Sequence, residues 1–285
     1  MKGHVQGWMG KTHALFSIML LCICLMIPFS VFQETIWLLK DNVLFFTVGL
    51  IAVAGGGLLP DLDNSQSSAG STLGFMGSIC TIFMQSTSSM LFTVIHTRKD
   101  RPPVTPHRYF WHTLVASAGI FCMFFFGMPD SEMTFIEGIK KYSFWGFLQD
   151  NITMMVFFLF IFMAILCGSD MVLGKIITFF KLPKILSYIL PIAGLVYVIF
   201  LKFSQLRILG ICIGMGYAFH CLEDFFADTG VPLLWPIPIH GKLWQRCKFF
   251  ITCETGGTVN TILDLLILAI DIGLIALIFL EDKAL

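Results

Sequence analysis

Long apolar stretches alternate with short polar connections along almost the whole chain. Eight runs stand out, at 14–32, 43–60, 73–95, 109–128, 152–168, 185–201, 208–222 and 262–280; the first seven lack Asp, Glu, Lys and Arg, and the last carries Asp264 and Asp271. Most approach the roughly 20 apolar residues that a helix needs to span a bilayer core. Only helices and closed barrels satisfy their backbone in lipid, and these runs show no strict polar–apolar alternation. The pattern therefore predicts an all-α, polytopic transmembrane helical bundle forming a single domain over 1–285. The connections are polar: 61–72 is rich in Ser and Gly, 97–108 is basic with Pro102, Pro103 and Pro106, and 229–257 mixes Pro, Gly and basic residues.

Composition supports this reading. Of 285 residues, 56% are hydrophobic and 13% charged, whereas soluble domains run near 45–50% apolar and about 25% charged. That excludes an ordinary cytosolic enzyme and a disordered chain. Eighteen Lys and Arg balance eighteen Asp and Glu, so no electrostatic footprint for nucleic acid exists. Of the nine cysteines, Cys22, Cys24, Cys80, Cys122, Cys167 and Cys212 lie within apolar runs, where they read as small packing residues.

Ionisable groups at membrane depth are costly and mark function by default. The second run ends in Pro60-Asp61-Leu62-Asp63. Pro60 breaks the helix, and carboxylates two apart in extended backbone face the same way, an arrangement suited to a cation; the alternative is a solvated acidic helix end. His107-Arg108-Tyr109-Phe110-Trp111-His112 opens the fourth run. In a helix starting near Pro106 the two histidines diverge by about 140°, so one can ligate while the other orients or acts as an acid. Arg108 offers a planar fork for a phosphate or carboxylate. An interfacial aromatic belt accounts for Tyr109, Trp111 and Arg108, but not for two histidines.

His220-Cys221-Leu222-Glu223-Asp224 carries the sharpest local signal. Residues four apart share a helix face, so His220 and Asp224 can present an imidazole and a carboxylate to one metal, or simply bond to each other. His13 alone reads as an interfacial histidine. Asp264 and Asp271 fit a proton path, or hydrogen bonds within the bundle.

A shared site needs its ligands on one side of the membrane. If all eight runs cross, His13 and Asp61 face one side, and His107 and His220 the other. The run 73–95 has the polar centre Gln85-Ser86-Thr87-Ser88-Ser89, which predicts a re-entrant or buried helix. Seven crossings then bring His13, Asp61, Asp63, His107, His112, His220 and Asp224 together. That face carries twelve of the eighteen Lys and Arg residues, which marks it as cytoplasmic and leaves the C-terminus outside. Eight crossings split them eleven to seven.

The ordered motifs G-K-T-H (10–13), L-L-P-D-L-D (58–63), H-R-x-x-W-H-T-L (107–114) and H-x-x-x-D-x-x-x-x-x-G-V-P-L-L-W-P (220–236) resemble the YdjM-like metal-dependent hydrolases of bacterial inner membranes, also described as LexA-binding. The resemblance covers roughly 14–63 and 105–236. It implies a helical membrane protein with a metal site, and is similar in pattern to zinc-dependent phospholipase C and related nucleases. By position, it implies His13, Asp61, His107, His112, His220 and Asp224 as ligands, with Asp63 an additional or supporting carboxylate. Where such sequences usually have Thr three residues after the last Asp, this chain has Ala227, followed by Asp228 and Thr229, either of which can replace the missing hydrogen bond.

These readings predict a multi-pass inner-membrane hydrolase that uses a metal-activated water at the cytoplasmic surface. Its expected substrate is a phosphoester, small or lipid. A mixed His/carboxylate set suits Zn²⁺, with Mn²⁺ or Fe²⁺ as alternatives. Asp63 is the expected proton acceptor, and Arg108 the group that holds substrate charge. Two other classes remain open: a metal-ion or proton-coupled transporter continuing through Asp264 and Asp271, and a non-catalytic regulator binding a soluble protein.

Overall fold

The computed structural model describes residues 9–26, 38–39, 42–101, 107–127, 133–134, 136–137, 152–179, 181, 183, 186–227, 229–249 and 258–281. Residues 27–32 of the first run, Pro102, Pro103, Pro106 and Asp228 lie outside them. Every apolar run forms helix over most of its described length. The elements are α1 (Met9–Met26), α2 (Val43–Gly56), a 3-10 turn (Pro60–Asp63), α3 (Ser68–Leu73), α4 (Phe75–Val94), a second 3-10 turn (Phe110–His112), α5 (Leu114–Gly127), α6 (Ile152–Phe179), α7 (Leu186–Ile199), α8 (Phe203–Asp224) and α9 (Thr258–Glu281). No strand occurs among the described residues, which carry only isolated bridges.

Four helical stretches among the described residues are long and apolar enough to cross a membrane: Val43–Asp63, Met155–Val172, Phe203–Asp224 and Thr261–Leu280. Gly10–Met26 and Leu114–Gly127 are shorter apolar helices. By this measure four helices qualify, against the seven crossings expected.

Helix α2 is the centre of the bundle, packed against α1, α6 and α8. Asn42 caps its start by accepting from the Leu44 and Phe45 amides. In lipid, helices gain little from apolar burial and associate through close van der Waals packing, which favours small residues at the contacts. The sequence supplies them. A Cβ on Gly55 would strike the Ala164 carbonyl of α6, and one on Gly216 of α8 would strike the Val53 carbonyl of α2. These contacts hold α8 against α2 and bring their C-terminal ends together.

Helix α4 does not run alongside its neighbours. Its buried stripe, Gly77, Thr81, Met84, Ser88 and Phe92, lies along the end of the bundle that carries both 3-10 turns. Thr81 donates to the Leu62 carbonyl at 2.7 Å, and Gln85 Nε2 to the Asp63 carbonyl at 2.8 Å. Trp111 Nε1 donates to the Met84 carbonyl, and Phe92 packs on Tyr109 and Trp244. The polar centre of 73–95 thus holds the loops of the site, while Phe75, Ile82 and Met90 project outward.

Candidate metal centre

Four segments distant in sequence meet at this end of the bundle: the start of α1 with His13, the first 3-10 turn with Asp61 and Asp63, residues 107–112 before α5, and the end of α8 with His220 and Asp224. His13, Asp61, Asp63, His112, His220 and Asp224 are all buried. The residues expected as ligands, His107 included, come together here.

The local backbone differs from expectation in two places, both with consequences. Pro60–Asp63 is a 3-10 turn, not extended chain. At three residues per turn, positions two apart diverge, yet Asp61 and Asp63 still share one candidate ligand group with His107 and His112. Asp61 lies 3.7 Å from His220 Nε2, whereas Asp63 faces His107 and His112. Likewise no helix starts at 107. Arg108 takes a left-handed conformation (φ 59) and the chain turns through Phe110–His112. The two imidazoles, expected to diverge, come to 5.6 Å between centroids, and both reach Asp63.

Three imidazoles share one bonding pattern. His13 Nδ1 donates to Glu223 Oε2 at 2.7 Å, His112 Nδ1 to Asp224 Oδ2 at 2.7 Å, and His220 Nδ1 to the Gly57 carbonyl at 2.7 Å. In all three, Nε2 is buried with no hydrogen-bond partner. A buried polar atom without a partner is costly, and metal-ligating histidines characteristically donate the other ring N–H to a carboxylate or carbonyl. These three nitrogens fit that role.

Among the described residues, three groups have ligand atoms within 4.8 Å of one another: Asp61, Asp63, His107 and His112; His13, Asp61 and His220; and His112, His220 and Asp224. The donors, imidazole nitrogen and carboxylate oxygen, suit a borderline divalent ion such as zinc. His220 and Asp224 do share a face, with Nε2 and Oδ2 3.4 Å apart.

Two residues are placed otherwise than their expected roles require. Arg108 is buried: its NH2 pairs with Asp224 Oδ1 at 2.9 Å and its NH1 donates to Thr229 Oγ1. A desolvated guanidinium needs such partners, and they aim the fork inward, away from an external substrate. Thr229 thereby supplies a polar contact next to the position where Ala227 stands. Asp63 is fully buried; Oδ1 contacts His107 Nδ1 and Oδ2 accepts the Arg108 amide, so each oxygen of the expected proton acceptor already has a partner. His107, with 28% of its side chain exposed, is the more open of the pair.

Burial, the largest single effect, disfavours the His112 imidazolium, but the charges and hydrogen bonds of Asp63 and Asp224 together outweigh it, and the group is pushed up to about 10 without a metal. Glu223, the partner of His13, is a site residue that sequence reasoning did not assign, although it stands within the His220–Asp224 phrase. Gln85 and Thr81 were visible only as polar residues in an apolar run.

Fold and site define a helical integral membrane protein with a buried His/Asp centre at one end of its bundle. The chain belongs to the YdjM inner membrane protein family, whose model matches residues 9–173. His13, Asp61, Asp63, His107 and His112 fall within that match, and His220 and Asp224 beyond it. No curated protein and no solved structure matches the chain.

Proposed function

We propose that this protein is a metal-dependent hydrolase of the bacterial inner membrane, acting on a phosphoester at the cytoplasmic surface. The observation that carries the reading is three buried Nε2 atoms without a hydrogen-bond partner, each ring fixed through its Nδ1, in candidate ligand groups with Asp61, Asp63 and Asp224. His13, Asp61, Asp63, His107, His112 and His220 form the donor set from which a metal would be held, in overlapping groups that share Asp61. A bound divalent ion supplies a water of lowered pKa and polarises a phosphoryl oxygen. The remaining groups position the donors. Glu223, Asp224 and the Gly57 carbonyl orient the three rings, and Arg108 and Thr229 fix Asp224. His107, partly open and backed by Asp63, is the most solvent-accessible imidazole of the donor set.

In this reading α1, α2, α5, α6, α7, α8 and α9 cross the bilayer, and α4 lies across the site end. The start of α1, the end of α2, the start of α5 and the end of α8 all meet at the site, as alternating crossings require. Thr72 of α3 donates to Asp170 of α6 at the same end. The Lys and Arg excess on this side supports a cytoplasmic orientation.

A transport reading draws on α9. Asp271 is 3% exposed and both its oxygens lack a hydrogen-bond partner, while Asp264 accepts from Thr12. The metal-ligand set, however, gathers at one end instead of spreading through the membrane depth, which favours hydrolysis.

The test is phosphodiesterase and phosphomonoesterase activity of the detergent-purified protein loaded with zinc or manganese. Activity lost in His220→Ala and Asp61→Ala, at unchanged size-exclusion profile, supports the reading; activity surviving both overturns it. Uptake of a divalent ion by proteoliposomes that requires Asp271 would favour transport.

A further inference from the structure

We infer that the centre is built for two divalent ions bridged by Asp61. The inference rests on the metal-site reading above and goes beyond it in number and arrangement.

The first support is reach. Ligand atoms at about 2.1 Å from one ion lie at most about 4.2 Å from each other. Among the described residues, His13 shares a candidate group with Asp61 and His220 only, and His107 shares one with Asp61, Asp63 and His112 only. No group within 4.8 Å contains both His13 and His107. A single ion therefore leaves one end of the donor set unused. Asp61 belongs to both groups, and a carboxylate has two oxygens to share between two ions.

The second support is the direction of the unpartnered nitrogens. His13 Nε2 and His220 Nε2 serve one group, their rings 3.8 Å apart between centroids. His112 Nε2 points to Asp63 Oδ2 at 3.4 Å and serves the other. The third grouping, His112, His220 and Asp224, does not define a further ion. Asp224 Oδ2 already accepts His112 Nδ1 and Oδ1 pairs with Arg108, so this carboxylate orients His112.

The third support is charge. Asp61, Asp63 and Asp224 are buried together, and Glu223 stands half-buried beside them. Asp224 is paired with Arg108, and the other three face imidazoles. Buried carboxylates persist when paired or bound to metal. In the 3-10 turn of Pro60–Asp63, Asp63 contacts His107 and His112, while Asp61 shares one candidate group with those two and another with His13 and His220.

A pair of ions sharing a carboxylate suits a substrate with two oxygens to neutralise, the attacking and the leaving oxygen of a phosphoester. The experiment is manganese titration of the full-length, metal-stripped protein in detergent, read by elemental analysis and electron paramagnetic resonance. The expected result is two equivalents per chain with an exchange-coupled spectrum. His13→Gln and His107→Gln should each retain one equivalent and lose the coupling. One equivalent in the parent, or two with uncoupled spectra, overturns the bridged pair while leaving a metal centre standing. No bound manganese overturns both this inference and the hydrolase reading. The parent stoichiometry and spectrum decide the matter even if a variant fails to fold.

Discussion

His112 and Asp224 stand far apart in the chain, yet His112 Nδ1 meets Asp224 Oδ2 at 2.7 Å inside the bundle, leaving His112 Nε2 aimed at Asp63. The carboxylate fixes which nitrogen is free, and the opposite oxygen is tied to Arg108. Loss of such an orienting partner typically costs 10- to 100-fold in metal affinity. Asp224→Asn keeps the shape and removes the charge, so zinc affinity measured by chelator competition should fall about 10- to 100-fold while the protein still elutes as folded. Unchanged affinity would remove Asp224 from the centre.

Metal binding should also release protons. Without metal, His112 is raised to about 10, burial opposing and Asp63 favouring its charged form. Its folded pKa therefore lies above pH 7, and the ring carries a proton that an incoming cation must displace. Titration of the stripped protein with zinc in weak buffer at pH 7 should acidify the solution, and affinity should fall as pH is lowered. His112→Gln should release fewer protons per metal bound.

A ligand that binds only the folded state stabilises it by mass action, about 2.7 kcal/mol at one hundred times its dissociation constant. Stripping the metal should lower the thermal midpoint, and zinc should restore it. His220→Ala should abolish the difference between the two preparations. A chelator-insensitive midpoint in the parent would speak against any metal at this centre.

The packing of α2 gives a pair of opposite outcomes. Gly55→Ala drives a Cβ into the Ala164 carbonyl, whereas a Cβ at Gly119 on α5 meets nothing within 4 Å. Gly55→Ala should sharply reduce the yield of monodisperse protein. Gly119→Ala should be neutral or stabilising by about 0.4–1 kcal/mol, through the restricted unfolded chain.

Asp100 links the end of α4 to the loop 229–249. It accepts the Thr97 amide at 2.7 Å and the Trp244 amide at 3.0 Å. Burial alone would raise its pKa, but these amide bonds hold it below the usual carboxylate value. A lowered folded pKa means that the contribution is fully present above the unfolded pKa of about 3.9 and is lost as pH falls through the folded value. Limited proteolysis of the loop should accelerate as pH drops below about 4, and Asp100→Asn should show the faster cleavage already at pH 7.

The sequence by itself determined the class of this protein. Runs without charge cannot keep their backbone satisfied in lipid except as helices, so the helical bundle was legible from composition and spacing. So were the polar residues too costly to place there without purpose, among them His13, Asp61, His112, His220 and Asp224. His220 and Asp224 could even be placed on one face, because four residues make about one helical turn. What only the tertiary structure decided lies where local geometry departs from regular helix or strand. The chain at Pro60–Asp63 makes a 3-10 turn in place of extended chain, with Asp61 near His220 and Asp63 against His107 and His112, and the left-handed Arg108 brings together two histidines that a helix would have parted. Glu223, Gly57 and Gln85 entered the site because close Gly contacts bring α2, α6 and α8 together and α4 closes over their end. No periodicity along a single chain encodes those approaches. They are set by which helices can touch backbone to backbone, and that is fixed only once the bundle is assembled.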